Sequence, residues 1–188
     1  MRHISHTKTV TINNQTWWVN SRSSGLYSDM LQKMLNQLFV MLEYHSKVHV
    51  IRFDLHQPTY TETNNRITQF NRRLFKWIKS NYEVKRIGYI WVREQETSKQ
   101  QHYHYALILN GHKVNYPQKI IQRVGEIWER MSGTDYTPKN CFYNIGQDED
   151  TLQDAVYRIS YLPKARGKGY RPDQTKDYST SRLKSSQC

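Results

Sequence analysis

A chain of 188 residues, 37% hydrophobic, is long enough for one domain with a real core and short for two. Its longest apolar stretch, LFVMLEY at 38–44, is broken by Glu43 and falls far below the roughly 20 residues of a membrane span. MRHISHTKTV has no apolar core of a secretory signal, so a cytoplasmic protein without a membrane partner is expected. Lys plus Arg number 28 against 16 for Asp plus Glu, a net charge of +12. That excess fits a polyanionic partner, because basic side chains on phosphates release condensed counterions. Fourteen tyrosines add faces on which unpaired bases stack. Cys141 and Cys188 are too few for a disulfide framework or a four-thiolate zinc site and are read as reduced.

In chain order, TKTVTINNQTWWVN (7–20) predicts a hairpin turning at Asn13 and Asn14. Leu26, Met30, Met34, Leu35, Leu38, Phe39 and Leu42 recur at helical spacing and predict an amphipathic helix to about His45. VHVIRFDLH (48–56) alternates as a half-buried strand. After Pro58 a basic helix is expected from about Thr61 to Tyr82, with Ile67, Phe70, Leu74, Trp77 and Ile78 inward. Arg66, Arg72, Arg73 and Lys76 are left for phosphate. Strands at Arg86–Glu94 and His102–Asn110 pair across QETSKQQ. Pro117 opens a helix through Trp128 and Met131, with Gly133 as its stop. CFYNI (141–145) is a fourth main strand, and Asp148 or Asp150 caps a helix through Leu152, Val156 and Ile159 that ends near Pro163. The basic remainder, 165–188, is poor in apolar residues and is expected to stay a flexible tail. The order suits one α+β domain over 1–164, an N-terminal hairpin and helix (7–47) followed by a core (48–164), with a central antiparallel sheet flanked by helices.

Two stretches carry chemistry. On a strand, residues two apart share a face at about 6.6 Å, so His102 and His104 project together while Tyr103 and Tyr105 face away. Two imidazoles from one strand suit a metal, with an oxygen ligand from the neighbouring strand. Glu94 has the right parity and stands at the strand end; Glu96 shares the parity but falls in the turn. In AVYRISYLPKARGK (155–168), Tyr157 and Tyr161 lie four apart, which on a helix places their Cβ atoms about 5–6 Å from each other, with Lys164 near the same side. Such a pair is either core filler or a pair of nucleophiles. A phenol, poor as a nucleophile at neutral pH, would act with a metal that polarises a phosphate and a lysine that offsets charge.

Glu94 followed after seven residues by His102-Tyr103-His104, with Tyr157, Tyr161 and Lys164 downstream, resembles the HUH endonuclease superfamily. WVREQE, HYHYALILNG and VYRISYLPKA are similar to the inovirus gene-2-type (YagK/YfjJ-like) replication proteins. The resemblance spans roughly Val48 to Lys164. It implies an HUH/Rep-like fold and a Mg²⁺ or Mn²⁺ ion on His102, His104 and Glu94. It further implies Tyr161 as nucleophile with Lys164, and Tyr157 as a second nucleophile or a packing residue. The activity implied is nicking and rejoining of a single-stranded or supercoiled DNA origin in rolling-circle replication. No Gly-rich phosphate loop of the G-K-[ST] kind is present, so a host helicase is an expected partner. Arg158, Arg166 and Lys168 are expected to join the helix cations on DNA. A non-catalytic nucleic-acid-binding regulator, or an HUH transposase or relaxase, remains open. Asp54 and His56 are read as the end of a strand lining the site, without a catalytic role.

Overall fold

The computed structural model describes residues 3–95 and 100–186. In chain order its elements are β1 (Ile4–Ser5), β2 (Thr9–Ile12), β3 (Gln15–Trp18), β4 (Leu26–Tyr27), α1 (Ser28–Tyr44), β5 (Val48–His56), α2 (Asn65–Tyr82), β6 (Gly88–Glu94), β7 (His102–Asn110), α3 (Gln118–Glu129), β8 (Thr134–Tyr136), β9 (Phe142–Ile145), α4 (Glu149–Ile159) and β10 (Tyr178–Thr180). The fold is α+β, a six-stranded antiparallel sheet ordered β10-β6-β7-β5-β8, with β9 pairing the other half of β5. β2 and β3 form the expected hairpin. Its turn residues Asn13 and Asn14 take φ of 54° and 60°, the left-handed pair that matches strand twist in a two-residue hairpin.

Register sorts the core. Val48, Val50, Ile90, Val92, Ala106 and Ile108 point to one face, where α1, α4 and the N-terminal hairpin cover them. Ile51, Phe53, Leu55, Tyr103, Tyr105, Leu107 and Leu109 point to the other, under α2 and α3. β5 is therefore buried on both faces, with only His56 at its end partly open, rather than half-buried. Its even positions carry the polar residues Arg52 and Asp54 because that face is polar at one end, not because it meets solvent.

Two further departures matter. β8 has no counterpart among the expected strands: three residues, TDY, carry too little pattern to register as one. Trp128 donates its indole N–H to His56 O at 2.8 Å, and its ring passes where a Cβ on Gly133 would stand. Gly133 thus serves that close approach, while Ser132 makes the left-handed turn (φ 61°).

The segment after Lys164, expected as a tail, lies on the body instead. β10 adds to the edge of β6, Arg93 N–H donates to Asp177 O at 2.7 Å and Ser181 N–H to Tyr89 O at 2.9 Å. Gln37, buried on α1, accepts from Ser181 Oγ at 2.7 Å and Leu183 N–H at 3.0 Å. Hydrogen bonds to a sheet edge hold this stretch, so low apolar content does not leave it loose.

Candidate metal centre

Antiparallel partners share a face, and here three strands converge. Glu94 opposes His102, Val92 opposes His104, and Asp54 and His56 oppose His104 and His102 from β5. Beyond Asp54, β8 sets the exposed Tyr136 on the same face. The apolar covering by α1 and α4 ends at Ala106, and the face turns polar.

Glu94 Oε2 lies 3.1 Å from His104 Nε2 and 3.9 Å from His102 Nε2, and the two Nε2 atoms are 3.3 Å apart. The outer nitrogens decide what this means. His104 Nδ1 is 2.7 Å from Asp54 Oδ1, and His102 Nδ1 is 3.1 Å from Gln100 O. A carbonyl only accepts, so His102 carries its proton on Nδ1 and offers a lone pair from Nε2, while His104 Nδ1 meets both the Asp54 carboxylate and the donor-only Arg52 Nη2, 2.7 Å away. Nε2 of both rings and a carboxylate oxygen thus face each other, three atoms able to turn lone pairs toward one cation. Bonds of about 2.0–2.2 Å to nitrogen and oxygen give neighbouring ligand atoms separations near those seen. The three residues can hold a metal ion, and among the described residues they are the group of this kind.

Electrostatics agrees. Burial lowers the pKa of His102 below its ordinary value, and the neighbouring His104 ring adds to this, against the Gln100 carbonyl and Glu94. Burial alone would raise the Glu94 carboxyl, but the His104 ring and the Lys168 ammonium outweigh it and hold it at about 2. Asp54 is likewise pushed up by burial and held at about 2 by His104 and Arg52. Arg52 donates to Asp54 Oδ1 and to Phe53 O, and its Nη2 lies 2.7 Å from the His104 ring. Asp54 and Arg52 are therefore supports of His104 that the sequence left without a role. Their signal was the alternation Arg52-Phe53-Asp54, charged residues at inward positions of a strand buried on both faces. His56 stacks on His102, centroids 5.3 Å apart.

Tyr161 stands against the site, its ring edge-on to His104 at 5.6 Å, with Lys164 Nζ 5.0 Å from the Tyr161 ring centre. It does not sit on a helix. α4 ends at Ile159, and turns carry the chain onward through Leu162 N–H to Ile159 O (2.9 Å) and Lys164 N–H to Tyr161 O (3.4 Å). Pro163 has no N–H to continue α4 and disfavours a helical residue before it. Tyr157 lies on α4, partly exposed, and among the described residues its side chain has no ring contact or hydrogen bond to the triad. Lys164 has its pKa lowered, first by burial and then by Arg166 and Arg22, against Glu94. The exposed Arg22 reaches this patch because the N-terminal segment docks on it, Ala165 N–H donating to Gly25 O at 3.1 Å and Leu26 bridging Lys164. Nothing local in the sequence marked Arg22.

The expected phosphate-binding cations divide. Lys168 is buried and pairs with Glu94 Oε1 at 2.6 Å, so its charge lies inside the protein. Arg158 donates to Tyr143 Oη, Lys139 O and Asn140 O and clasps the 139–143 loop. Arg66 donates to Met131 O and lies over Trp128. Arg72, Arg73 and Lys76 are exposed, but on α2, across the sheet from the triad. Glu96 lies outside the described residues, as does Cys188; Cys141 is a free thiol. No helix among the described residues is long and apolar enough to cross a membrane.

Fold and site together define an α+β protein with a Glu/His/His cluster on one end of an antiparallel sheet. The chain belongs to the YagK/YfjJ C-terminal domain family, whose model matches residues 7–179. No curated protein and no solved structure matches it significantly.

Proposed function

We propose that this protein is a metal-dependent DNA nicking and joining enzyme that initiates rolling-circle replication of a phage or prophage element in the cytoplasm of its host. The observation that carries this reading is the placement of Tyr161 beside three converging lone pairs, with Lys164 over its ring. Tyr161 Oη loses its phenolic proton to solvent and forms a bond to the scissile phosphorus, the bond to the 3′ oxygen breaks, and that oxygen takes up a proton from solvent as a free 3′-hydroxyl. The 5′ end stays esterified to the tyrosine for rejoining. Glu94, His102 and His104 would hold Mg²⁺ or Mn²⁺, which when bound would supply Lewis-acid polarisation of the phosphate. Lys164, with Arg22 and Arg166 around it, neutralises charge on the strand. The exposed Tyr136, two strands from His104 on the same face, offers a ring to an unpaired base. A host helicase unwinds the duplex.

Incubation with a labelled single-stranded origin fragment and Mn²⁺ should yield an adduct that survives denaturation. His104→Ala and Tyr161→Phe should abolish it and Tyr157→Phe should leave it. Tight DNA binding without any adduct would instead make the protein a binding module, and an adduct that persists without both tyrosines would overturn the chemistry.

A further inference from the structure

Lys168 lies in the segment expected to be disordered, and yet its side chain is 1% exposed. Its ammonium donates to Glu94 Oε1 at 2.6 Å, to Lys164 O, and weakly to Arg166 O at 3.5 Å. A buried ammonium persists only with such partners. The two oxygens of Glu94 therefore divide their roles, Oε1 taking Lys168 while Oε2 faces His102 and His104.

The backbone repeats the connection. Gln95 N–H donates to Gly167 O at 2.8 Å. Gly167, at φ +73°, packs against Glu94, where a Cβ would stand in ordinary contact 3.4 Å from Oε2. The tie runs between a metal ligand on β6 and the segment 161–169, which begins with the tyrosine at the site.

We propose that Lys168 is a positioning residue that locks the tyrosine-bearing segment 161–169 onto Glu94, so that binding of the cation and placement of Tyr161 form one linked equilibrium. This rests on the metal site and on the role of Tyr161 given above. Coupling of this kind is reciprocal: the factor by which docking of the segment strengthens the cation is the factor by which the cation strengthens docking. An ion pair that merely stabilised the fold would not connect the two.

The test uses the full chain without DNA. Free Mn²⁺ is followed by electron paramagnetic resonance, and amide exchange is read across 161–169 with and without Mn²⁺. In the wild type, Mn²⁺ should slow exchange in this segment. Lys168→Met should weaken Mn²⁺ binding by about 10–100-fold, as loss of a ligand's support does, and should remove the Mn²⁺-dependent slowing. Lys168→Gln, which keeps one donor, should fall between. Lys47→Met, an exposed lysine elsewhere, should match the wild type. Wild-type Mn²⁺ affinity in Lys168→Met, or slowing that persists in it, would overturn the inference. Should Lys168→Met fail to fold by circular dichroism, the wild type still decides, since exchange in 161–169 indifferent to Mn²⁺ would also overturn it. Failure of the nicking reading looks different: intact metal coupling with no covalent adduct.

Discussion

The two faces of the sheet come from the same strands and could hardly differ more. On the odd-numbered face of β5 and β7, Phe53 stacks on Tyr105 at 4.7 Å, Phe70 and Trp128 meet edge-on at 5.5 Å, and α2 and α3 seal the whole length. On the even-numbered face apolar packing stops at Ala106, and Arg52, Asp54, Glu94, His102 and His104 follow. Burying ionisable groups in this way costs free energy that an apolar cluster of equal size would not. One face is arranged for stability, and the open end of the other gives up stability to hold five polar groups in fixed relation.

Substitution should separate these roles. Phe53→Ala removes a fully buried, stacked ring and should cost about 3–5 kcal/mol, on the order of 10 °C in melting temperature for a chain of this size. Thermal melts by circular dichroism check it. His104→Ala should abolish Mn²⁺ binding while lowering the melting temperature of the metal-free protein far less. If both variants lost the same stability, the two faces would not be specialised.

Asp54→Asn sharpens the comparison within the polar end. The shape is kept, but an amide has no charge to set against Arg52 and can turn either an oxygen or an N–H toward His104. Mn²⁺ affinity should fall about 10–100-fold, read by titration. Asp54→Ala should in addition destabilise the fold, because Arg52 is left buried without its carboxylate.

How far the sequence disclosed all this depends on what kind of signal each part leaves. Parity along β7 is enough to send His102 and His104 to one face and Tyr103 and Tyr105 to the other, and parity on β6 picks Glu94. Helical spacing locates α1, α2 and α3 because their apolar faces are long. Asp54 escapes because its meaning depends on pairing with His104, fifty residues away. Lys168 escapes for the same reason, since a basic residue in a polar stretch reads as a phosphate contact until its partner is known, and Arg22 escapes because only the docking of the N-terminal segment brings it near Lys164. The C-terminal strand escapes because edge pairing needs backbone, not apolar side chains. Spacing alone puts Tyr161 on a helix that Pro163 in fact shortens.

That last strand offers a mid-sized test. Gln37 Oε1 holds both Ser181 and Leu183 from inside α1. Gln37→Leu should strand those two donors at a cost of about 1–3 kcal/mol and should speed amide exchange at 178–183, leaving Phe53 and its neighbours protected. Unchanged exchange there would mean that β10 is held by its pairing with β6 alone.

The smallest effect concerns His49, fully buried where β5 meets β9. Asn144 donates through Nδ2 to Asn115 O, so its Oδ1 accepts from His49 Nδ1–H at 2.5 Å. The other nitrogen, Nε2, is buried and finds no hydrogen-bond partner among the described residues. Protonating it would place an unpaired N–H and a charge in the interior. Burial accordingly lowers the pKa of His49, against the opposing pull of Asn144. Between the folded and unfolded values the unfolded chain binds more protons, so stability rises with pH in that window. The contribution is complete above the unfolded value of about 6.5 and is lost as pH falls from there toward the folded value. Melting temperature should drop as pH falls below about 6.5, and His49→Gln should flatten that part of the profile. His45 and His102 are lowered by burial too, so some slope should remain in the variant, and only a slope identical to the wild type would refute the role of His49.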